Sequence, residues 1–242
     1  MKRNDLDDRL SRISTMWTVL RQAHEGVRDN ATNAQRLLIE RYRGAVYRYL
    51  MAAVRDTELA DELLQEFALS LIRREFRGTD SSRGRFRDYI KSVLFHLVGK
   101  HRKKYAKERQ RQTSEPIADV AADPEMTEQF DDCWRDELLA RTWTALQDVN
   151  RNYFVTLQTR AAYPDDSSTK LARRIGERLG KPVSAEAARQ NLSRARDTFA
   201  ELLVNEVAQS LKNPSTETLH DELSDLGLLE YCRPVLQRVG RG

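Results

Sequence analysis

Residues 83–112 read RGRFRDYIKSVLFHLVGKHRKKYAKERQRQ, with eleven Lys or Arg residues against two acidic ones. Apolar residues recur in this stretch at intervals of three and four, which predicts a helix with one buried face. That face comprises Phe86, Ile90, Val93, Leu94, Leu97 and Val98. The opposite face leaves a large aromatic residue, Phe95, among cations such as Lys91 and Arg102. Because cations neutralise phosphates and aromatic rings stack on unpaired bases, we interpret the stretch as a surface for single-stranded nucleic acid. The alternative is a solvated charged helix whose Phe95 packs against a neighbouring helix.

The rest of the chain also favours helices. Helix-forming residues dominate, and no run of alternating β-branched residues is long enough to predict a sheet. We therefore expect an all-α fold. Further helices are predicted over residues 16–23, 33–54, 57–76, 128–157, 169–179, 185–203 and 215–229. In the helix over 33–54, the residues predicted to face inward are Leu37, Leu38, Tyr42, Val46, Tyr49 and Leu50.

Charge is segregated along the chain, although the formal net charge is only +4. Residues 113–137 hold nine acidic residues and one basic residue, Arg135, directly after the basic stretch. The two blocks could neutralise each other. Residues 109–127 have the composition of a linker and include Pro116 and Pro124. The predicted organisation is a helical domain over 1–108, an acidic linker over 109–127, a second helical domain over 128–212 and a tail over 213–242.

A helix-turn-helix pattern lies in residues 168–203. Gly180 and Pro182 break a short amphipathic helix, and Ser184 is placed to cap the next one. The inward face of that second helix is predicted to hold Ala188, Leu192, Ala195, Phe199 and Leu203. Its polar residues Arg189, Gln190, Ser193, Arg194 and Arg196 point elsewhere. Arg pairs with guanine and Gln with adenine in a major groove, so this face is a candidate for contact with duplex DNA. The alternative is a plain helical hairpin with a charged exterior.

Motifs of enzymatic chemistry are absent from the sequence. It contains no GxxxxGK[ST] phosphate loop and no HExxH motif, and its glycines are dispersed. The four histidines are isolated, and Cys133 and Cys232 lack the paired spacing of a zinc site or a disulfide framework. Asp61, Glu62 and Glu66 cluster on one predicted helix, where we interpret them as a docking edge for a basic partner rather than as metal ligands. We expect no catalytic residue, no metal and no cofactor.

The sequence also predicts where the chain resides. No apolar run approaches the roughly 20 residues needed to cross a bilayer. The first ten residues, MKRNDLDDRL, carry charges where a signal peptide has its apolar region. We expect a cytoplasmic protein without a membrane segment, monomeric when free.

Several stretches resemble the sigma factors of bacterial RNA polymerase, in the small two-domain extracytoplasmic-function type. ERYRGAVYRYL (40–50) is similar to the first core helix of domain 2 of that family, and ADELLQEFALSLIRR (60–74) to the helix that docks on the polymerase. RGRFRDYIKSVLFHLVGKHRKK (83–104) resembles the part that contacts and melts the −10 promoter element. VSAEAARQNLSRARDTFAELLVNEVAQSL (183–211) resembles the recognition helix of domain 4, with a tail of the form seen in planctomycete-like variants.

The resemblance implies three sets of site residues. Core polymerase binding would involve Asp61, Glu62, Gln65, Glu66 and Phe67. The −10 element would contact Arg85, Phe86, Arg87, Lys91, Phe95, Arg102 and Lys103. The −35 element would contact Ser184, Arg189, Gln190, Ser193, Arg194 and Arg196. The sequence departs from the family's preferences at Leu59, Glu62 and Ser193, and its helix before the turn is longer.

The implied partners are the β′ clamp and β flap of core RNA polymerase, promoter DNA, and an anti-sigma factor or a regulatory kinase. The expected function is promoter recognition and DNA melting at transcription initiation. One alternative is a helix-turn-helix regulator that binds duplex DNA without the polymerase. A second alternative is a helical enzyme acting on nucleic acid, with Asp61, Glu62 and Glu66 as metal ligands.

Overall fold

The computed structural model describes residue 10 and residues 13–25, 28–73, 85–110 and 124–239. Ten helices lie in these ranges: α1 (Met16–Glu25), α2 (Arg28–Val54), α3 (Thr57–Arg73), α4 (Phe86–Gln110), α5 (Pro124–Val149), α6 (Arg151–Ala162), α7 (Ser168–Leu179), α8 (Ala185–Gln209), α9 (Thr216–Asp225) and α10 (Leu229–Val239). The described part of the chain has no strand, only an isolated bridge between Arg85 and Leu211. The predicted all-α fold is confirmed.

The chain divides into two compact units. The N-terminal unit comprises Ser14–Glu137 with Gln209–Asn213, and the C-terminal unit comprises Met1–Ile13, Leu138–Ala208 and Pro214–Gly242. In the N-terminal unit, α1, α3 and α4 pack against α2, and α3 also packs against α4. Helix α3 begins directly after Asp56, whose carboxylate accepts a hydrogen bond from the Leu59 N–H at 3.0 Å.

The apolar faces of α2 and α4 form much of the N-terminal core. All six residues predicted for the buried face of α4 are buried, which confirms the helical period read from the sequence. The prediction for α2 was wrong at one position. Leu37 is 48% exposed, while its neighbour Leu38 is buried. Successive residues of a helix lie about 100° apart, so only one of the two faces the core.

The division into units differs from the predicted domain boundaries. Helix α5 begins at Pro124, inside the predicted linker, and its residues up to Glu137 belong to the N-terminal unit. The physical reason is the burial of Phe130 and Trp134, which are 0% and 1% exposed. Trp134 stacks on Tyr42, with ring centroids 4.8 Å apart and planes 7° from parallel. Residues 111–123 of the predicted linker lie outside the described residues.

Residues 209–213 also belong to the N-terminal unit, although the prediction placed them in the second domain and the tail. The Phe86 N–H, at the start of α4, donates a hydrogen bond to the Ser210 carbonyl at 2.7 Å. The predicted tail helix over 215–229 corresponds to α9, which ends earlier, at Asp225. Gly227, whose φ is +67°, separates it from a second helix, α10, in the part of the tail for which no helix was predicted. Their buried residues include Leu219, Leu223 and Cys232, so the tail belongs to the C-terminal core.

Candidate nucleic-acid and protein interfaces

Helices α7 and α8 form a helix-turn-helix hairpin. Gly180 ends α7 in the left-handed region, with φ +67°, and its N–H donates to the Gly176 carbonyl. The Ser184 hydroxyl accepts a hydrogen bond from the Ala187 N–H at 3.1 Å and so caps α8. A cluster of buried side chains from α6, α7 and α8 holds the hairpin; it comprises Val155, Leu171, Ala172, Ile175, Ala188 and Leu192.

Gly176 allows the close return of the chain in this hairpin. A Cβ atom placed on Gly176 would lie 2.9 Å from the Lys181 carbonyl oxygen, closer than a side chain tolerates. Lys181 also donates its backbone N–H to the Gly176 carbonyl, at 3.2 Å. Gly176 is therefore required because the chain returns close to it, whereas Gly180 is required because its φ is positive.

The first half of α8 presents the polar face that the sequence predicted. Exposed residues of this face are Arg189, Gln190, Ser193, Arg194 and Arg196. The opposite face packs inward through Ala188, Leu192, Ala195 and Leu203, with Phe199 half-buried. Gln190 lies 3.5 Å from the Glu186 carboxylate, and Ser184 is exposed but uses its hydroxyl as the helix cap. This geometry brings together all six residues predicted to contact the −35 element, on one face of α8 and its capping turn.

A basic groove of about 610 Å³ runs along the C-terminal half of α4. The described residues that line it are Phe95, His96, Gly99, Lys100, Lys103, Lys104 and Lys107. Phe95, at one end, is half-buried and stacks on Tyr49, with ring centroids 5.9 Å apart. The sequence prediction named Phe95 and Lys103 but not Lys100, Lys104 or Lys107. Their recurrence at intervals of three and four was the signal that could have found them.

Three of the residues predicted to contact the −10 element have partners within the N-terminal unit. Arg87 donates to Asp131 Oδ1 at 2.5 Å, and Lys91 lies 2.7 Å from the same oxygen. Arg102 donates to the Ala53 carbonyl and to Met126 Sδ, both at 3.2 Å. The structure thus places these cations next to the start of α5 rather than in the basic groove.

Two residues of that predicted set are buried, Phe86 and the already paired Arg87. Phe86 is 0% exposed and packs against Trp17, Tyr42 and Tyr89, with centroid distances of 5.2–5.7 Å. Arg87 is 3% exposed because Asp131 compensates its charge inside the unit. The prediction that Phe86 and Arg87 face DNA is therefore wrong for this conformation, since neither side chain reaches the surface. Arg85 is half-buried and forms the backbone bridge with Leu211.

Helix α3 carries the predicted docking edge. Asp61, Glu62 and Gln65 are exposed, and Glu66 is half-buried and paired with Lys100 at 2.7 Å. Phe67 is 1% exposed and belongs to the core, so its predicted contact with a partner is wrong in this conformation.

Sequence reasoning missed Leu69, which is 46% exposed. Leu69 follows Asp61 and Gln65 at intervals of four residues, so the three side chains form one exposed stripe along α3. The buried residues Leu63, Phe67 and Leu71 form an apolar stripe at intervals of four. The sequence alone shows that Leu69 does not lie on this stripe. We call Asp61, Gln65 and Leu69 the docking stripe.

No group of three or more His, Cys, Asp or Glu side chains is placed among the described residues to hold a metal ion. Burial raises the pKa of both thiols, that of Cys232 to about 12, which keeps them protonated at neutral pH. In the part of the chain that the structure describes, no helix combines the length and apolar character needed to span a bilayer.

Comparison with known proteins gave no match to a family model, to a curated protein or to a solved structure.

Proposed function

We propose that this protein is a sigma factor, which binds core RNA polymerase, directs it to a promoter and helps to open the DNA. The observation that carries the proposal is the presence of two different nucleic-acid surfaces in one chain. The groove of α4 combines four lysines with an aromatic ring, a composition suited to single-stranded DNA. The polar face of α8 suits the major groove of duplex DNA. A protein that reads a duplex element and also binds a separated strand has the two activities that promoter opening requires.

The docking stripe supports the part of the proposal that concerns the polymerase. Leu69 offers a partner an exposed apolar side chain beside a carboxylate and an amide, on the helix that resembles the polymerase-docking helix of sigma factors. A regulator that acts on duplex DNA alone has no need for such a stripe on a separate unit. The well-formed helix-turn-helix hairpin supports that second candidate function equally well, so binding to core polymerase is the measurement that separates the two.

The test compares two exposed leucines of the same unit. Leu69→Asp places a charge in the docking stripe, whereas Leu37→Asp places the same charge on α2, away from it. Both leucines are about equally exposed, at 46% and 48%, so both variants should fold. We expect Leu69→Asp to weaken the affinity for core polymerase by about tenfold or more, and Leu37→Asp to leave it unchanged. Equal affinities of the two variants, or no binding by the unaltered protein, would contradict the proposal and favour the duplex regulator.

A further inference from the structure

The start of α5 occupies part of the basic face of α4 whose sequence pattern indicates a surface for single-stranded nucleic acid. We call residues 124–137 the acidic segment. Its Asp131 pairs with both Arg87, at 2.5 Å, and Lys91, at 2.7 Å. Its Met126 sulfur accepts a hydrogen bond from Arg102 at 3.2 Å. These three cations are among those predicted to contact the −10 element, and all three are engaged by one segment.

The acidic segment also occupies the aromatic part of that surface. Phe130 packs edge-on against Tyr49, with centroids 5.5 Å apart, and Lys91 lies 5.5 Å from the centre of the Phe130 ring. Phe95 stacks on the same Tyr49. Phe130 thus places an aromatic ring against Tyr49, and the next residue, Asp131, places a carboxylate against Arg87 and Lys91. A nucleotide in a single strand supplies the same pair, a base and a phosphate.

We propose that the acidic segment is an intramolecular competitor of single-stranded DNA, and that it must leave the N-terminal half of α4 before the separated promoter strand binds there. This inference rests on the proposed function, because it assigns regulation to the same surface. None of the described residues that line the lysine groove, from Phe95 to Lys107, belongs to the segment, so this groove is open to a strand in the free protein. The segment therefore weakens the binding of single-stranded DNA until a strand or the polymerase displaces it.

Both stabilising and destabilising contacts act on the packed segment. Trp134 and Phe130 are buried, and Arg48 donates to the Cys133 carbonyl at 3.3 Å and to Glu137 at 3.0 Å, which holds the segment in place. Yet no described residue forms a hydrogen bond with the buried Trp134 Nε1 or the buried Tyr49 hydroxyl. A buried polar group without a partner destabilises the state in which the segment is packed on the unit. Water would form hydrogen bonds with both groups once the segment has left.

The first test uses two neighbouring carboxylates of the segment. Asp131→Asn removes the charge that pairs with Arg87 and Lys91 but keeps an oxygen that accepts a hydrogen bond, so the unit should stay folded. Asp132→Asn is the matched control, because Asp132 is exposed and pairs with Arg135 on its own helix at 2.8 Å. Both variants change the net charge equally. Fluorescence anisotropy with a labelled single-stranded oligonucleotide measures the affinity of the full chain.

We expect Asp131→Asn to bind the oligonucleotide about tenfold more tightly than Asp132→Asn. Equal affinities of the two variants, with Lys103→Ala weakening both, would overturn the competitor role and leave the proposed function standing. Failure of every variant and of the unaltered protein to bind, together with failure to support promoter-dependent transcription, would overturn both.

The second test needs no substitution in the segment. Hydrogen exchange of the unaltered protein is measured by mass spectrometry, with and without saturating oligonucleotide. Displacement predicts faster exchange of the amides of residues 126–137 and slower exchange in the lysine groove when DNA is bound. Unchanged or slower exchange of residues 126–137 would show that the segment is a permanent part of the unit and would overturn the inference.

Discussion

Two glycines inside helices allow a matched test of the helix-turn-helix hairpin. Gly176 lies in α7 and Gly99 in α4. Replacing either by alanine gains about 1 kcal/mol of helix propensity. A Cβ atom on Gly99 would meet no described atom within 4 Å outside its own helix, so Gly99→Ala should stabilise the N-terminal unit by about that amount.

Gly176→Ala should have the opposite effect. Its Cβ atom would lie 2.9 Å from the Lys181 carbonyl oxygen and 3.6 Å from the Val183 nitrogen, and these are backbone atoms that cannot rotate away. The turn must shift, at a cost of about 1–3 kcal/mol for overpacking. The shift also weakens the hydrogen bond from the Lys181 N–H to Gly176, worth about 1 kcal/mol. After the gain in propensity is subtracted, we expect a net loss of about 1–3 kcal/mol.

Urea titration followed by hydrogen exchange and mass spectrometry measures the free energy of unfolding of each unit separately. A stabilising effect of Gly176→Ala, equal to that of Gly99→Ala, would refute the close return of the chain between α7 and α8. The assignment of α8 as a recognition helix would then lose its structural support, because the turn sets the position of that helix.

Three further predictions follow from individual side chains. Ser184→Ala should cost the C-terminal unit about 1 kcal/mol in urea titration, and Ser184→Asp should restore it, since either oxygen caps α8. Phe95→Ala should reduce opening of a duplex promoter, read by permanganate reactivity, by about tenfold and leave a pre-melted template unaffected; equal losses on both templates would argue against base stacking. Burial raises the pKa of Tyr89 to about 12, so the folded state retains its proton where the unfolded state loses it. The stability that Tyr89 contributes should be complete below pH 10 and fall between pH 10 and pH 12, and Tyr89→Phe should remove this part of the pH dependence.

The periodicity of the sequence predicted the faces of single helices well. In α4, apolar residues at intervals of three and four identified six positions, all of which are buried, because one helix face must meet the core whatever its partner is. The hairpin of α7 and α8 was equally visible. Gly180, Pro182 and Ser184 are local signals, and each acts on the backbone within a few residues of itself.

The pairing between distant segments was not predictable in the same way. Phe130 and Trp134 showed that one face of α5 is apolar, but periodicity does not say which helices cover it. Arg87 carries a charge, which favours a surface position, yet Asp131 lies 44 residues away in the sequence and compensates that charge inside the unit. The opposite charges of the two blocks were visible in the sequence, whereas their residue-by-residue pairing depends on the fold.

Run-off transcription with reconstituted core polymerase tests the central claim most directly. The template is a set of genomic fragments, and the variables are the unaltered protein, Leu69→Asp and Leu37→Asp. A sigma factor should give discrete transcripts that require this protein, persist with Leu37→Asp and are strongly reduced with Leu69→Asp. An absence of protein-dependent transcripts, with no comigration of the protein and core polymerase, would contradict the account.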